Sequence, residues 1–293
     1  MDILSEVLDV LHLRAIATQS VSMGSLRGES IRPRQALAYV VLAGRCRLQV
    51  ADAPIGVELF PRDAILLLGG QKHVFEPLTK RSREQDYPAR LLRCAFAFER
   101  GLPHPLPQRF PDLLTLRSDF LTDQTELGRV VSLLDGELVN ARLGIDFVAL
   151  RLAEIVFVEI LRRSQLEGHQ LPFLGALSDP IVSVALACIH SQPQHPWRVA
   201  ELARAAGLSR AAFSERFHRG VGEPPLRYLR AWRLLKARRH LQSTAAPIKR
   251  IAADVGYRSS TGFARAFRRL FGYPPSTVRH SASESRHRTA TSG

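Results

Sequence analysis

Ile3, Leu4, Val7, Leu8 and Leu11 recur at helical spacing, so the chain opens with an amphipathic helix. The same stretch carries acids where a signal peptide needs bases, which argues against a leader. Between residues 36 and 99 the pattern changes. "ALAYVVLAG", "CRLQVA", "AILLLGG" and "ARLLRCAFAFE" are short apolar runs broken by Gly, Pro and Asp. Strands this short and regular predict a small barrel or sandwich. Prolines at 103, 105, 107 and 111 make 101–111 a loop. Helical spacing then resumes over 125–141 and 145–165. The second of these helices is apolar on more than one face, through Phe147, Leu150, Leu152, Ile155, Val156, Val158, Ile160 and Leu161. Such a helix is buried in its own domain or against a partner. "EGHQLPFLG" (167–175) reads as a hinge, and Ser178 as the N-cap of a following helix with Pro180 in its first turn.

The last third of the chain repeats itself. "GLSRAAFSERFHRGVGEPP" (207–225) and "GYRSSTGFARAFRRLFGYPP" (256–275) share an opening Gly, a Phe-x3-Phe pair, a later Gly and a closing Pro-Pro. In the first copy Val199, Leu202, Ala203 and Ala206 face inward on one helix. Gly207 turns the chain, Ser209 caps a second helix, and Phe213 and Phe217 share one face of it. In the second copy Ile248, Ile251, Ala252 and Val255 face inward. Gly256 turns, Ser259 or Ser260 caps, and Phe263 and Phe267 point inward. Each copy is a helix-turn-helix, and the second turn is one residue longer. Pro224-Pro225 ends the first copy and starts a linker helix over 225–242, striped by Leu226, Leu229, Trp232 and Leu235. Such a rod could hold two units about 34 Å apart, one turn of DNA.

Charge separates the two halves. Residues 176–293 hold 20 Lys and Arg against 6 Asp and Glu, whereas residues 1–175 hold 21 of each, so the whole net charge of +14 lies in the C-terminal part. The basic residues are interleaved with periodic apolar ones, so they belong to a folded surface that suits a polyanion, nucleic acid first. Cys46, Cys94 and Cys188 are far apart and form no CxxC, which fits buried thiols in a reducing cytoplasm. No run approaches about eighteen uninterrupted apolar residues, which argues against a membrane span.

Residues 179–279 resemble the AraC/XylS family of bacterial transcription regulators. The likeness rests on "WRVAELARAAGLSRAAFSERFHRGVGEPPLRYLRAWRLLKARRHL" and "IKRIAADVGYRSSTGFARAFRRLFGYPPSTVR". Through "VVLAGRCRLQV", "PRDAILLLGGQKH" and "RLAEIVFVEILR", the N-terminal half is similar to the cupin-type sensor domain of one subgroup. The resemblance implies an α+β chain of two domains. Residues 1–175 would be a cupin-like β-barrel with packed helices. Residues 176–280 would be an all-α DNA-binding domain, with helix-turn-helix units at 199–219 and 248–271. Residues 281–293 would be a disordered tail. Base contacts would come from Ala211, Ser214 and Glu215 in the first unit and from Ser260, Thr261 and Arg265 in the second. Arg265 suits guanine, whereas Glu215 could accept from cytosine or pair with Arg219 and touch no base. Ser209, Arg210, Arg216, Arg258, Ser259 and Arg268 would meet phosphates.

The N-terminal half departs from metal-binding cupins. The first expected ligand cluster reads "RPRQALAYVV" and has no His, and His73 stands alone, so neither a metal nor any other cofactor is expected. No catalytic motif is present, so the expectation is a regulator and not an enzyme. Tyr39, Arg45 and His73 are candidates to contact a small organic effector inside the barrel. The expected partners are double-stranded DNA, that effector, a second copy of the chain and, for an activator, RNA polymerase. The expected location is the bacterial cytoplasm, on the nucleoid when DNA is bound. The alternatives are a non-specific architectural DNA-binding protein, or a cupin enzyme with an appended DNA-binding domain.

Overall fold

The computed structural model describes residues 2–26, 29–30, 35–51, 56–68, 72–78, 89–98, 102, 104–108, 110–117, 124–166 and 171–279. The expected tail at 281–293 lies outside them. Chain order and compactness do not coincide. One compact unit comprises His12–Glu99 and Phe110–Leu171, and the other Met1–Leu11, Arg100–Arg109 and Pro172–Gly293.

The first unit is built on strands β1 (Arg14–Ser22), β2 (Glu29–Ser30), β3 (Gln35–Ala43), β4 (Cys46–Val50), β5 (Val57–Leu59), β6 (Ala64–Leu67), β7 (Lys72–Glu76), β8 (Arg90–Ala97) and β9 (Leu113–Leu116). Among the described residues these form two antiparallel sheets, in the orders β1-β8-β3-β6-β9 and β2-β7-β4-β5, and not one closed barrel. Tyr39, Ile65 and Leu91 of the first sheet pack with Cys46, Leu48 and Phe75 of the second. β4 alternates buried and half-exposed residues, as a strand with one wet face should. β3 and β6 instead read as continuous apolar runs because both their faces are covered. The outer face lies under two helices, α3 (Glu126–Asn140) and α4 (Ile145–Leu166), with Phe96 of β8 5.0 Å from Phe157 of α4 between ring centres. Only part of α4 is buried. Leu152, Val156, Ile160 and Leu161 face inward, but Phe147 is 69% exposed and Ile155 45%. With Leu133 and Val139 of α3 they leave apolar surface on the helix pair. Burial pushes the Cys94 thiol up to about 12 and that of Cys46 to about 11, so both stay protonated.

The second unit is helical: α1 (Ile3–Val10), α2 (Pro105–Gln108), α5 (Pro172–Ser178), α6 (Val182–Ser191), α7 (Val199–Ala205), α8 (Arg210–Val221), α9 (Pro225–Ser243), α10 (Ile248–Asp254) and α11 (Ser260–Phe271). Three expectations need correction. The proposed hinge at 167–175 is helical from Pro172, because Phe173, Leu174 and Ala176 bury a face there; residues 167–170 lie outside the described residues. Within the expected loop at 101–111, Pro105–Gln108 makes one helical turn. Ser178 ends α5 and does not cap α6; the Asp179 carboxylate does, accepting from the backbone N–H of Ile181 at 2.8 Å and Val182 at 3.0 Å. No single described helix is long and apolar enough to cross a membrane.

Four segments of this unit meet in a buried hydrogen-bond chain with one self-consistent direction. The Leu106 N–H donates to Nδ1 of His104 at 3.1 Å, so the His104 proton sits on Nε2 and points to the Tyr228 hydroxyl at 3.3 Å. Tyr228 donates to Nε2 of His190 at 2.8 Å, and His190 Nδ1–H to the Glu6 carboxylate at 3.0 Å. Burial holds His104 down to about 3 and also lowers His190, so both imidazoles are neutral. The hydrogen bond from His190, with Lys236 nearby, holds Glu6 below the usual carboxylate range.

Candidate nucleic-acid interface

α7, α8, α10 and α11 form two helix-turn-helix units on the linker helix α9. In each turn a glycine takes the left-handed region, Gly207 at φ 69° and Gly256 at φ 86°. The chain then closes with the same bonds: Leu208 N–H to the Ala203 carbonyl and Tyr257 N–H to the Ala252 carbonyl, both 2.9 Å. Ser209 caps α8 by accepting from Ala212 N–H at 3.3 Å, and Ser259, not Ser260, caps α11 by accepting from Gly262 N–H at 3.1 Å. Phe213, Phe217, Phe263 and Phe267 are all 0% exposed. Burying one face with aromatic residues fixes which face of α8 and α11 is left for a ligand.

α9 has Pro225 in its first turn and runs 19 residues, about 28 Å. The predicted stripe holds at Leu229, Trp232 and Leu235, but Leu226 is 40% exposed, and Tyr228, Leu234 and Ala237 complete the buried face. The N-terminal part of α9 packs on the first unit, with Phe217 6.0 Å from Tyr228 between rings. Leu234, Ala237 and Leu241 pack on the second, against Ile251, Phe263 and Phe267.

The outward faces differ. On α8, Ala211 and Glu215 are exposed and Ser214 half-buried. The Ser214 hydroxyl donates back to the Arg210 carbonyl at 2.8 Å, and Glu215 is paired with Arg219. Arg216 donates to Asp179 at 3.0 Å, through the carboxylate oxygen not engaged in capping α6. Arg210 is exposed. On α11, Ser260, Thr261, Arg265 and Arg268 are all exposed, with Arg258 and Ser259 just before the helix. Among the described residues the side chains of Arg258, Arg265 and Arg268 have no hydrogen-bond or ion-pair partner, and no acid occurs between 255 and 283. Arg265 stands fifty residues after Glu215, at the equivalent place on its helix.

In the other unit Tyr39 and His73 come together. The Tyr39 hydroxyl lies 2.9 Å from His73 Nε2, bridging the two sheets, and both residues are 1% exposed. Phe75 packs edge-on to both. Arg45 does not join them: it is exposed on the β3–β4 turn beside Gly44. Among the described residues no three of His, Cys, Asp or Glu gather as a metal-ligand set.

Arg233, which no sequence motif marks, is half-buried on α9. It donates through Nε to the Pro193 carbonyl at 2.5 Å and through its terminal nitrogen to the His195 carbonyl at 2.6 Å.

Comparison with known proteins places these elements. Residues 202–281 match the model of a helix-turn-helix domain family, and residues 2–164 match that of a cupin family. A protein of Streptomyces lividans named AraC-like transcription regulator is 30% identical over 95% of this chain and 98% of its own. The HTH-type transcriptional regulator AlkR of Acinetobacter baylyi is 28% identical over 95% of this chain and 99% of its own. Among solved structures, the DNA-binding domain of AdpA in complex with a target DNA is 30% identical, covers 37% of this chain and 96% of that one, and has a TM-score of 0.35.

Proposed function

Because the chain belongs to the AraC-like family of transcription regulators, with a cupin N-terminal domain, we propose that α8 and α11 read two boxes of one DNA operator. The observation that carries this reading is that Arg265 and Arg268 on the outward face of α11, with Arg258 just before it, have no side-chain partner among the described residues, above a wholly buried aromatic face. Arg265 reads a guanine there, and Ser260 and Thr261 contact bases or the adjoining phosphate. Arg258, Arg268 and the exposed backbone side of Ser259 meet phosphates. On α8, Ala211 gives apolar contact to a thymine methyl, and Ser209 and Arg210 reach the backbone. The ion pair with Arg219 favours a Glu215 that touches no base, and that with Asp179 favours an Arg216 that serves the fold before it serves phosphate.

The cupin half takes up a small organic effector, with Tyr39 and His73 as its buried polar pair. It performs no reaction. The exposed apolar residues of α3 and α4 support a homodimer through this half. The protein works on the nucleoid in the bacterial cytoplasm, and as an activator it meets RNA polymerase there. Selection of bound DNA from a random pool by the full-length protein tests the reading. A recurrent site with two boxes about one turn apart is expected. Recovery of unrelated sequences, with binding lost uniformly as salt rises, defeats specific recognition.

A further inference from the structure

The two glycine turns share a backbone conformation but not a setting. A Cβ placed on Gly207 would meet nothing within 4 Å. A Cβ on Gly256 would lie 2.7 Å from the Gln194 carbonyl oxygen, 2.9 Å from Gln194 Cα and 3.1 Å from the Arg233 guanidinium carbon. The turn of the second unit is therefore pressed against the loop that leads into the first, and Arg233 of the linker helix lies at the joint. That loop is itself braced: Trp197 donates its indole N–H to the Gln192 carbonyl at 3.0 Å, and its ring lies 4.3 Å from that of His195. Two carbonyls held by one planar guanidinium make a rigid fork that a lysine point charge cannot reproduce.

We propose that Arg233 is a positioning residue that locks the first unit to the second across Gly256 and so sets the spacing of DNA boxes that α8 and α11 can occupy together. This rests on the two-box reading above. Without the lock, the units remain joined by α9, since each packs on its own stretch of that helix. Their relative orientation loosens, although every residue on the DNA-facing surfaces is unchanged. Each base pair inserted between the boxes moves one of them about 3.4 Å along the duplex and about a tenth of a turn around it. A locked pair of units should reject such a shift, and a loosened pair should tolerate it.

The test uses full-length protein and the operator it selects, with the gap between boxes changed by one or two base pairs. Binding is measured by fluorescence anisotropy at several salt concentrations. The wild type should lose about tenfold in affinity for a one-base-pair change. Arg233→Gln should bind the native spacing more weakly and vary less than about threefold across the series, with its salt dependence unaltered. Arg233→Lys should fall between the two. Gly256→Ala should also flatten the series. Gly207→Ala meets the same backbone strain without the collision and should keep the wild-type profile. If Arg233→Gln does not melt cooperatively, the glycine pair decides the matter. A wild-type spacing profile in Arg233→Gln or Gly256→Ala overturns the proposal. So does a lower salt slope in Arg233→Gln, which would make Arg233 a phosphate contact. Failure of the wild type to select any two-box site is a distinct result and removes the reading beneath the proposal as well.

Discussion

The two helix-turn-helix units differ in surface far more than in core. Each buries a Phe-x3-Phe pair, turns on a left-handed glycine and caps its second helix with a serine. Outside, Glu215 on α8 faces its own Arg219, while its counterpart Arg265 on α11 has no partner among the described residues. Arg216 is held by Asp179, whereas the Arg268 side chain has no partner among the described residues. One duplicated scaffold thus carries a surface whose charges are largely paired and one that is more strongly cationic. Packing fixes where a recognition helix lies, and the residues it turns outward can then diverge without cost to the fold.

The sharpest challenge to this comparison is to attack the shared core. Phe217→Ala and Phe267→Ala should each cost about 3–5 kcal/mol of stability in chemical denaturation, because both rings are wholly buried. A small cost in only one would show that the cores are not equivalent. At the surface, Arg265→Ala should lose about 1–3 kcal/mol of discrimination against operators altered at one guanine. Glu215→Ala should leave sequence preference unchanged, and a comparable loss there would give α8 a base-reading carboxylate.

Acid should separate the units next. His104 and His190 are neutral and buried beside the first unit, with their ionisation shifted below the ordinary 6.5. Unfolded, both take up protons as pH falls through about 6.5; folded, they resist. Their contribution to stability is therefore present above that range and is lost progressively as pH falls below it, with His104 losing it down to about 3. Among the described residues the second unit, 248–279, holds no buried histidine. Hydrogen exchange at pH 5 should show α6 and α8 loosening before α10 and α11, and equal loosening would contradict the assignment. The smallest effect is electrostatic. Arg268→Ala should lower the slope of log affinity against log salt by about 0.9. Arg216→Ala should lower it less, since Asp179 already engages that guanidinium.

Much of the DNA-binding half is visible in the residues themselves. Phenylalanines four apart, glycines at the turns and prolines at a helix start are local signals that no tertiary contact needs to supply. β1 is harder to see, because most of "RAIATQSVS" is exposed and the alternation is weak. α5 was hidden by a Pro-Phe-Leu-Gly stretch that resembles a loop. Tyr39 and His73 could each be singled out, but their pairing depends on how two sheets stack. Arg233 could not be found at all, since its partners are the main-chain carbonyls of Pro193 and His195, and a carbonyl is the same in every residue.

The chain from Leu106 to Glu6 also bears on the order in which the protein is made. Glu6 leaves the ribosome long before its partners, since His190 lies 184 positions later and Tyr228 a further 38. Throughout most of synthesis α1 has no completed site to join, while strands with nearer partners can already pair. Closing so long a loop comes late in folding. α1 is therefore among the last of these elements to find its place, and its docking marks a polypeptide that has been translated through the linker helix.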